Sequence, residues 1–405
     1  LTAVAHGCKV IFWYTYGPNW TKGDSFSASP TALAATSRAA RLIGAAEEAL
    51  YGARPAVPAR IAVVRPLTSE YFENNASWEN GKWVYAALMH AHLPVDALDE
   101  GLIESEDLGA YKVIYVSGTH LRRASAEKLA AWVAQGGVLY TSAGGLSRDE
   151  AGRPLAALQP ALGLASRPPL EMWSSVSRYG AVSLASFHPL QKDKPLPPEA
   201  ALRGEGDLAG EFSLAVGREP LDPGPGAQVL ARFADGKPAL TRHPWQKGAA
   251  YVAGFYPGLE YSADILKPGY DMSRDFSPAK RACIAAPALR AGVEPPVLLD
   301  APCSEVIYLR HPVSGARAVV LLNWAYKAAN SNDTMSGRPD SPLEFPGART
   351  LLALVEQPAV TIRNAGAVKA VRSAWSGEQM PFERRGDDVV IRLPRLEEAE
   401  VLVLE

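Results

Sequence analysis

The hydrophobic pattern changes character twice along the chain. Residues 9–16, Lys9-Val10-Ile11-Phe12-Trp13-Tyr14-Thr15-Tyr16, form an apolar run of the kind that makes a strand buried on both faces. After a loop rich in Gly, Ser and Asn, Ser29-Pro30 reads as an N-cap followed by proline at the first helical position. The helix it opens runs to about Tyr51, stops at Gly52, and carries Ala35, Ala39, Leu42, Ala46 and Leu50 on one stripe. Arg38, Arg41 and Glu48 fall off that stripe. One strand and one amphipathic helix make a single βα unit. Arg54-Pro55-Ala56-Val57-Pro58-Ala59 then reads as a stiff, extended connector and a domain boundary.

From Ile61 onward strands and helices alternate. Strands are expected at Ile61–Arg65, Pro94–Leu98, Lys112–Ser117 and Val138–Ser142. A polar and aromatic loop, Pro66 to Asn80, precedes a helix from about Gly81 to His92 with Val84, Ala87, Leu88 and Ala91 on one face. Ser125 is expected to cap a second helix, whose apolar face is Leu129, Trp132 and Val133 and which Gly136-Gly137 ends. Such alternation implies a parallel sheet with right-handed crossovers, flavodoxin-like in architecture. Between about Pro154 and Gly226 prolines and glycines are dense; short strands, one near Tyr179–Ala185, are expected but no helix. Val229–Ala234, the turn Asp235-Gly236-Lys237 and Pro238–Arg242 read as a hairpin, with a further strand at Gly248–Phe255.

The last hundred residues switch to short strands without helices: Ser304–Arg310, Arg317–Asn323, Thr350–Val355, Ala359–Arg363, Val368–Ala374, Asp388–Leu393 and Glu400–Leu404. That pattern belongs to a β-sandwich or small barrel. The polar segment Asn330–Pro342 reads as a long loop. The expected fold class is thus α/β plus all-β. Its expected domains are 1–55, a lone βα unit; 56–262, the flavodoxin-like sheet; 263–300, a connector with one helix over Pro278–Ala291; and 301–405, a β-sandwich.

Composition narrows the partners. A chain of 405 residues exceeds one core, and 47% hydrophobic with 21% charged residues suits a soluble globular protein. The 41 basic and 43 acidic residues leave a net charge of −2, which argues against nucleic acid. No apolar run reaches the ~20 residues of a membrane span, so no membrane partner is expected. Cys8, Cys283 and Cys303 are far apart and odd in number, and read as buried free thiols, with a Cys283–Cys303 disulfide as the alternative. The compartment, cytoplasmic or exported, does not follow from these residues.

Candidate chemistry is sparse. Ser117-Gly118-Thr119-His120 and Ser142-Ala143-Gly144-Gly145 follow strands, where ligands of open α/β sheets gather, but neither fits a Gly-x-Ser-x-Gly elbow. Of the seven histidines only His90 and His92 are close, and a two-residue step points to different sides of a helix, so no metal site is expected. Gly144-Gly145 lacks the spacing of a phosphate loop. Glu70, Glu73 and Glu79 lie in the loop after the Ile61 strand, at the ligand edge of that sheet. The densest feature is the aromatic loop. Trp13, Tyr14, Tyr16 and Trp20 could offer ring faces to the C–H face of a sugar, with Asn19 and Thr15 as rim hydrogen-bonding groups; the same rings would also suit core packing.

The order of these parts resembles the C-terminal portion of family 42 glycoside hydrolases, beta-galactosidase-like proteins. Ala5-His6-Gly7-Cys8-Lys9-Val10-Ile11-Phe12-Trp13 is similar to the family's last barrel strand, and Ala59-Arg60-Ile61-Ala62-Val63-Val64 to its entry into the middle domain. Tyr85-Ala86-Ala87-Leu88, Leu93-Pro94-Val95-Asp96, Tyr111 to Val116, Trp132 to Leu139 and Gly248 to Gly254 resemble successive elements of that domain. The resemblance implies a final TIM-barrel βα unit, a glutamine-amidotransferase-like trimerisation domain without its catalytic cysteine, and a C-terminal β-sandwich. It implies a carbohydrate substrate, a homo-oligomer, with a trimer as one form, and no cofactor. The family's acid/base and nucleophile glutamates would fall upstream of Leu1, so no catalytic residue is expected in this chain. Trp13, Tyr14, Tyr16, Asn19 and Trp20 would form one edge of the sugar pocket, although Thr15 to Trp20 departs from the usual galactosidase pattern. Two other readings stand beside it: a non-catalytic carbohydrate-binding or assembly protein, and an active hydrolase- or amidotransferase-like domain using Ser117, His120 or Ser142.

Overall fold

A nine-stranded sheet forms the centre of residues 59–295 in the computed structural model, which describes residues 1–12, 30–73, 76–176, 190–192, 200–205, 208, 210–330 and 350–405. In chain order its strands are β1 (Ile61–Arg65), β2 (Val95–Asp99), β3 (Val113–Val116), β4 (Val138–Thr141), β5 (Ala201–Gly204), β6 (Gly210–Ser213), β7 (Gln228–Phe233), β8 (Pro238–Trp245) and β9 (Gly248–Ala253). Across the sheet the order is β6-β5-β7-β8-β9-β4-β3-β1-β2. The five strands from β9 to β2 run parallel and the other four antiparallel. Strands β1 and β3 are apolar without alternation because both faces are covered: Ile61, Val64, Val113, Ile114 and Val116 are all buried. Ala62, Val64, Ile114, Val116, Leu139 and Val252 pack with Leu129, Trp132 and Val133 of the helix Arg123–Ala134.

Several boundaries differ from the sequence reading, each for a local reason. The expected loop from Pro66 to Asn80 contains α1 (Leu67–Phe72), and α2 (Ala76–His90) begins at Ala76 rather than Gly81. Asn80 is a weak helix former, but its buried side chain makes three hydrogen bonds within the unit. Ser125 does not cap α3 (Arg123–Ala134). It lies inside the helix and donates to Glu104 Oε1 at 2.8 Å. Of residues 263–300, set apart in sequence as a connector, 263–295 belong to this unit and 296–300 to the other. Their helix α5 (Pro278–Arg290), which comes after α4 (Pro257–Ser262), covers a row of tyrosines. Tyr115, Tyr140 and Tyr251 stand opposite one another on β3, β4 and β9, and Tyr115 Oη donates to Ile284 O at 2.7 Å. The hairpin around Asp235-Gly236 forms as expected from its turn chemistry, with β7 and β8 antiparallel. The strand expected near Tyr179–Ala185 lies outside the described residues.

The second unit comprises Leu1–Pro58, Pro296–Ala325 and Leu354–Glu405. Its strands are β10 (Val297–Leu299), β11 (Ser304–Arg310), β12 (Arg317–Asn323), β13 (Ala359–Ile362), β14 (Val371–Ser373), β15 (Phe382–Arg385), β16 (Asp388–Arg392) and β17 (Ala399–Leu404). One antiparallel sheet has the order Arg54–Pro55, β11, β12, β17, β14; another has the order β10-β13-β16-β15. The two share one core, with Val319, Leu321 and Leu402 against Val360, Ile362, Val389 and Ile391. Strand β12 is buried on both faces, and its period of two divides it between two cores. Val319 and Leu321 serve the first, whereas Ala318, Val320 and Leu322 pack against Leu42, Ala46, Ala49 and Leu50. The stripe expected on the early helix is therefore real, and its partner is a sheet from the end of the chain. Arg54-Pro55, expected as a free connector, adds an edge pair to β11, where proline is tolerated.

The strand expected over residues 9–16 is not formed in its described part. Residues 9–12 pair with no described strand, and Val10 and Phe12 are 80% and 85% exposed. An extended segment without a ladder partner leaves its backbone groups to solvent and is not held as a strand. Trp13, Tyr14, Tyr16, Asn19 and Trp20 lie outside the described residues. As a whole the described fold is mixed α/β: one mixed nine-stranded sheet, with antiparallel sheets elsewhere.

Candidate functional site

The parallel strands reverse direction of growth between β1 and β3. The chain passes from β1 outward to β2, then returns to place β3 on the other side of β1. The carboxyl ends of β1 and β3 therefore splay around a crevice, the topological switch point at which open α/β sheets bind ligands. Ser117-Gly118-Thr119-His120 leaves β3 there, and α1 with Glu73 faces it from β1. Gly118 makes the turn with φ +114°; a Cβ would collide with Ser69 Oγ and lie 2.7 Å from Ser69 Cβ. Ser69 Oγ uses that space to donate to His120 O at 2.6 Å and to accept from His120 N–H at 2.8 Å.

A contiguous polar chain results. Glu73 Oε1 accepts from both the Thr119 N–H and the Thr119 hydroxyl, each at 2.5 Å. Thr119 Oγ1 lies 2.7 Å from His120 Nδ1. A hydroxyl has one proton, and with that proton committed to the Glu73 carboxylate the Nδ1 must carry its own and donate to Thr119. The His120 Nε2 is then the bare, accepting nitrogen. Burial holds the His120 imidazole below the usual histidine range, with Glu73 opposing and Arg148 reinforcing the shift. Phe72 stacks on the ring at 4.2 Å and 13°.

The neighbouring wall is built from β4 and the loop that leaves it. Gly144 N–H donates to Glu219 Oε2 at 2.6 Å. Arg167 lies 3.2 Å from both oxygens of Glu219 and donates to Gly145 O at 2.7 Å. Tyr256, after β9, is buried, and burial pushes its phenol well above the ordinary value, helped by the charges of Glu73 and Glu219. Asn80 braces the base of the crevice: its Nδ2 donates to Ser117 Oγ at 2.7 Å, and its Oδ1 accepts from the Gly258 and Leu259 N–H groups.

This arrangement separates the candidates named from sequence. Ser117 Oγ faces Asn80, His120 Nδ1 faces Thr119, and Ser142 Oγ is buried without a hydrogen-bond partner among the described residues. No serine–imidazole pair forms, so the nucleophile–base contact of a hydrolase is not made by these residues. Of the three loop carboxylates, Glu73 turns to the crevice, Glu70 pairs with Arg65 at 2.7 Å, and Glu79 pairs with Lys82 at 2.5 Å. His90 Nδ1 lies 2.9 Å from Tyr261 Oη. Burial holds His90 and His92 down to about 3 and about 4. Among the described residues no group of three or more His, Cys, Asp or Glu could hold a metal ion, and no helix is long and apolar enough to cross a membrane. All three cysteines are free thiols; Cys283 and Cys303 are buried as expected, but Cys8, expected to be buried, is exposed in the unpaired segment before residue 13. Thr119, Glu219, Arg167 and Tyr256 were not singled out from sequence. Only the strand-end position of Thr119 and Tyr256 could have signalled them.

No family model and no curated protein matches the chain. Solved structures do. A catalytic mutant of Gan42B, a GH42 beta-galactosidase from G. stearothermophilus, superposes with a TM-score of 0.62 at 14% identity, covering 99% of this chain and 49% of that one. The beta-galactosidase from Bacillus circulans sp. alkalophilus gives 0.58 at 15% identity over 93% and 46%. The alpha-L-fucosidase isoenzyme 2 from Paenibacillus thiaminolyticus gives 0.56 at 14% over 90% and 50%. The chain spans about half the length of these structures, and at such identities the likeness is one of fold. This chain thus has the fold of part of a GH42 beta-galactosidase, the family that its sequence resembles.

Proposed function

We propose that the chain is the C-terminal region of a family-42-like glycoside hydrolase, which in the complete protein hydrolyses a glycosidic bond by the retaining two-carboxylate route. The observation that carries this reading is the superposition on a GH42 beta-galactosidase over 99% of the chain at a TM-score of 0.62. In this proposal residues 1–55 are the last βα unit of a TIM barrel, and their loop residues Trp13, Tyr14, Tyr16, Asn19 and Trp20 line one edge of the sugar pocket. The unit around β1–β9 is a glutamine-amidotransferase-like domain that assembles a homo-oligomer, with a trimer as one form. The two sheets of β10–β17 form the C-terminal β-sandwich. The acid/base and nucleophile glutamates come from a preceding barrel, and the 405-residue chain alone is inactive.

The test compares the 405-residue chain with a polypeptide extended through the upstream reading frame, on an aryl β-galactoside. Turnover by the extended protein only, lost when either of two strand-end glutamates upstream is changed to glutamine, is the expected result. Turnover by the 405-residue chain, or an upstream sequence without alternating strands and helices, overturns the proposal.

A further inference from the structure

The switch-point crevice holds three polar atoms that no described residue engages. Both bonds to Glu73 end on Oε1, and Oε2 accepts nothing from any described residue. The Nδ1 of His120 bonds to Thr119, and its Nε2 bonds to no described residue. Tyr256 is only 6% exposed, yet its hydroxyl makes no hydrogen bond among the described residues, although it lies within electrostatic reach of Glu73 and Glu219. The phenol can both donate and accept a hydrogen bond, and that capacity is open to a ligand.

The charges around these atoms balance. Glu219 is matched by Arg167, and Asp149 with Glu150 by Arg123 and Arg153. Glu73 remains, with Arg148 nearby; Arg148 pairs with no carboxylate among the described residues and spends one nitrogen on Gly152 O. A near-neutral crevice disfavours a strongly charged ligand. Two of the three free atoms are acceptors and the third is a hydroxyl, so the complementary ligand presents several hydroxyl donors. An aromatic surface borders them: Phe72, stacked on His120 by one face, is 56% exposed, and Tyr71 beside it is 84% exposed. Apolar ring faces next to hydroxyl-accepting groups suit a pyranose, which has a C–H face and a hydroxyl rim.

We propose that the crevice between β1 and β3, formed by Phe72, Glu73, His120 and Tyr256, binds a neutral hydroxyl-rich ligand of monosaccharide size. This site lies within the nine-stranded unit. It does not depend on the glycosidase reading, because the proposal concerns binding alone.

Calorimetric titration of the 405-residue chain with methyl β-D-galactoside, methyl β-D-glucoside and, at equal ionic strength, butylammonium chloride tests it. Saturable binding of at least one glycoside, in the millimolar range, is expected, with none of butylammonium. Tyr256→Phe and Glu73→Gln should each weaken binding by about tenfold, the loss of roughly one or two hydrogen bonds, while Leu289→Ala, at an exposed position of α5, leaves it unchanged. A second readout needs no variant: the His120 ring-proton resonance should move during the glycoside titration. Absence of saturable glycoside binding, binding of butylammonium alone, binding kept at full strength in both crevice variants, or an unmoved His120 resonance at saturation overturns the proposal.

Discussion

Asn80 holds Ser117 at the end of β3 through a 2.7 Å bond from its Nδ2, while its Oδ1 receives Gly258 N–H at 2.8 Å and Leu259 N–H at 3.2 Å. One fully buried amide thus ties α2 to β3 and caps the first turn of α4. Replacing Asn80 with alanine leaves two helix-start N–H groups and one hydroxyl without partners. The expected loss is about 3 kcal/mol of stability, read as a lower urea midpoint with an unchanged slope. A loss under ~1 kcal/mol would mean that water replaces the amide at no cost.

Gly118 and Gly236 both have positive φ, at +114° and +83°, but only Gly118 is crowded. Ser69 occupies the place a Cβ would take, whereas nothing lies within 4 Å at Gly236. Gly236→Ala should cost about 1 kcal/mol, the backbone strain alone. Gly118→Ala adds a collision with Ser69 and should cost about 3 kcal/mol or more. Thermal unfolding of the pair separates the two terms, and equal losses would sink the argument.

Glu260 provides a pH-dependent prediction. It is fully buried and accepts from Ala215 N–H at 2.5 Å and Val216 N–H at 2.9 Å. Burial pushes its carboxyl up to about 7, against the pull of Lys280 and of those two N–H groups. The folded value lies above the ordinary 4.5, so the folded protein keeps a proton that the unfolded chain releases. This group's contribution is complete below pH 4.5 and is lost as pH rises to about 7. Glu260→Gln, which cannot ionise, should therefore gain on the parent by roughly 2 kcal/mol between pH 5 and pH 8. Denaturant melts at the two pH values measure the difference; a gain that shrinks with rising pH has the wrong sign.

Leu50, at 3% exposure, fills the layer between the early helices and β12. Leu50→Ala should cost about 3 kcal/mol, as core truncations do. Leu289 on α5 is 51% exposed, and Leu289→Ala should cost less than about 1 kcal/mol. Comparable losses in both would show that Leu50 is not part of a packed layer.

The alternation from Ile61 to Thr141 was legible because buried parallel strands are uniformly apolar and their helices carry a 3.6-residue stripe. Strands β11 and β12 were found with their observed bounds, since turn residues flank each apolar run. Where a rule was local, as in the Asp235-Gly236 turn, the reading held. It failed at α2, where a long-range set of bonds to Asn80 outweighs a weak helix propensity.

Periodicity shows that a face is buried but not against which partner. The stripe of Leu42, Ala46 and Leu50 is visible in the sequence, while its partners Ala318, Val320 and Leu322 emerge only from tertiary packing. Glu73 and Thr119 are 46 residues apart and meet because the strand order reverses between β1 and β3. Sequence alone determined the buried parallel strands from Ile61 to Thr141, the helix faces and the family resemblance, for these rest on spacing along one segment. Tertiary structure decided which segments share a core and which side chains share a crevice, because hydrogen bonding and burial depend on distance in space.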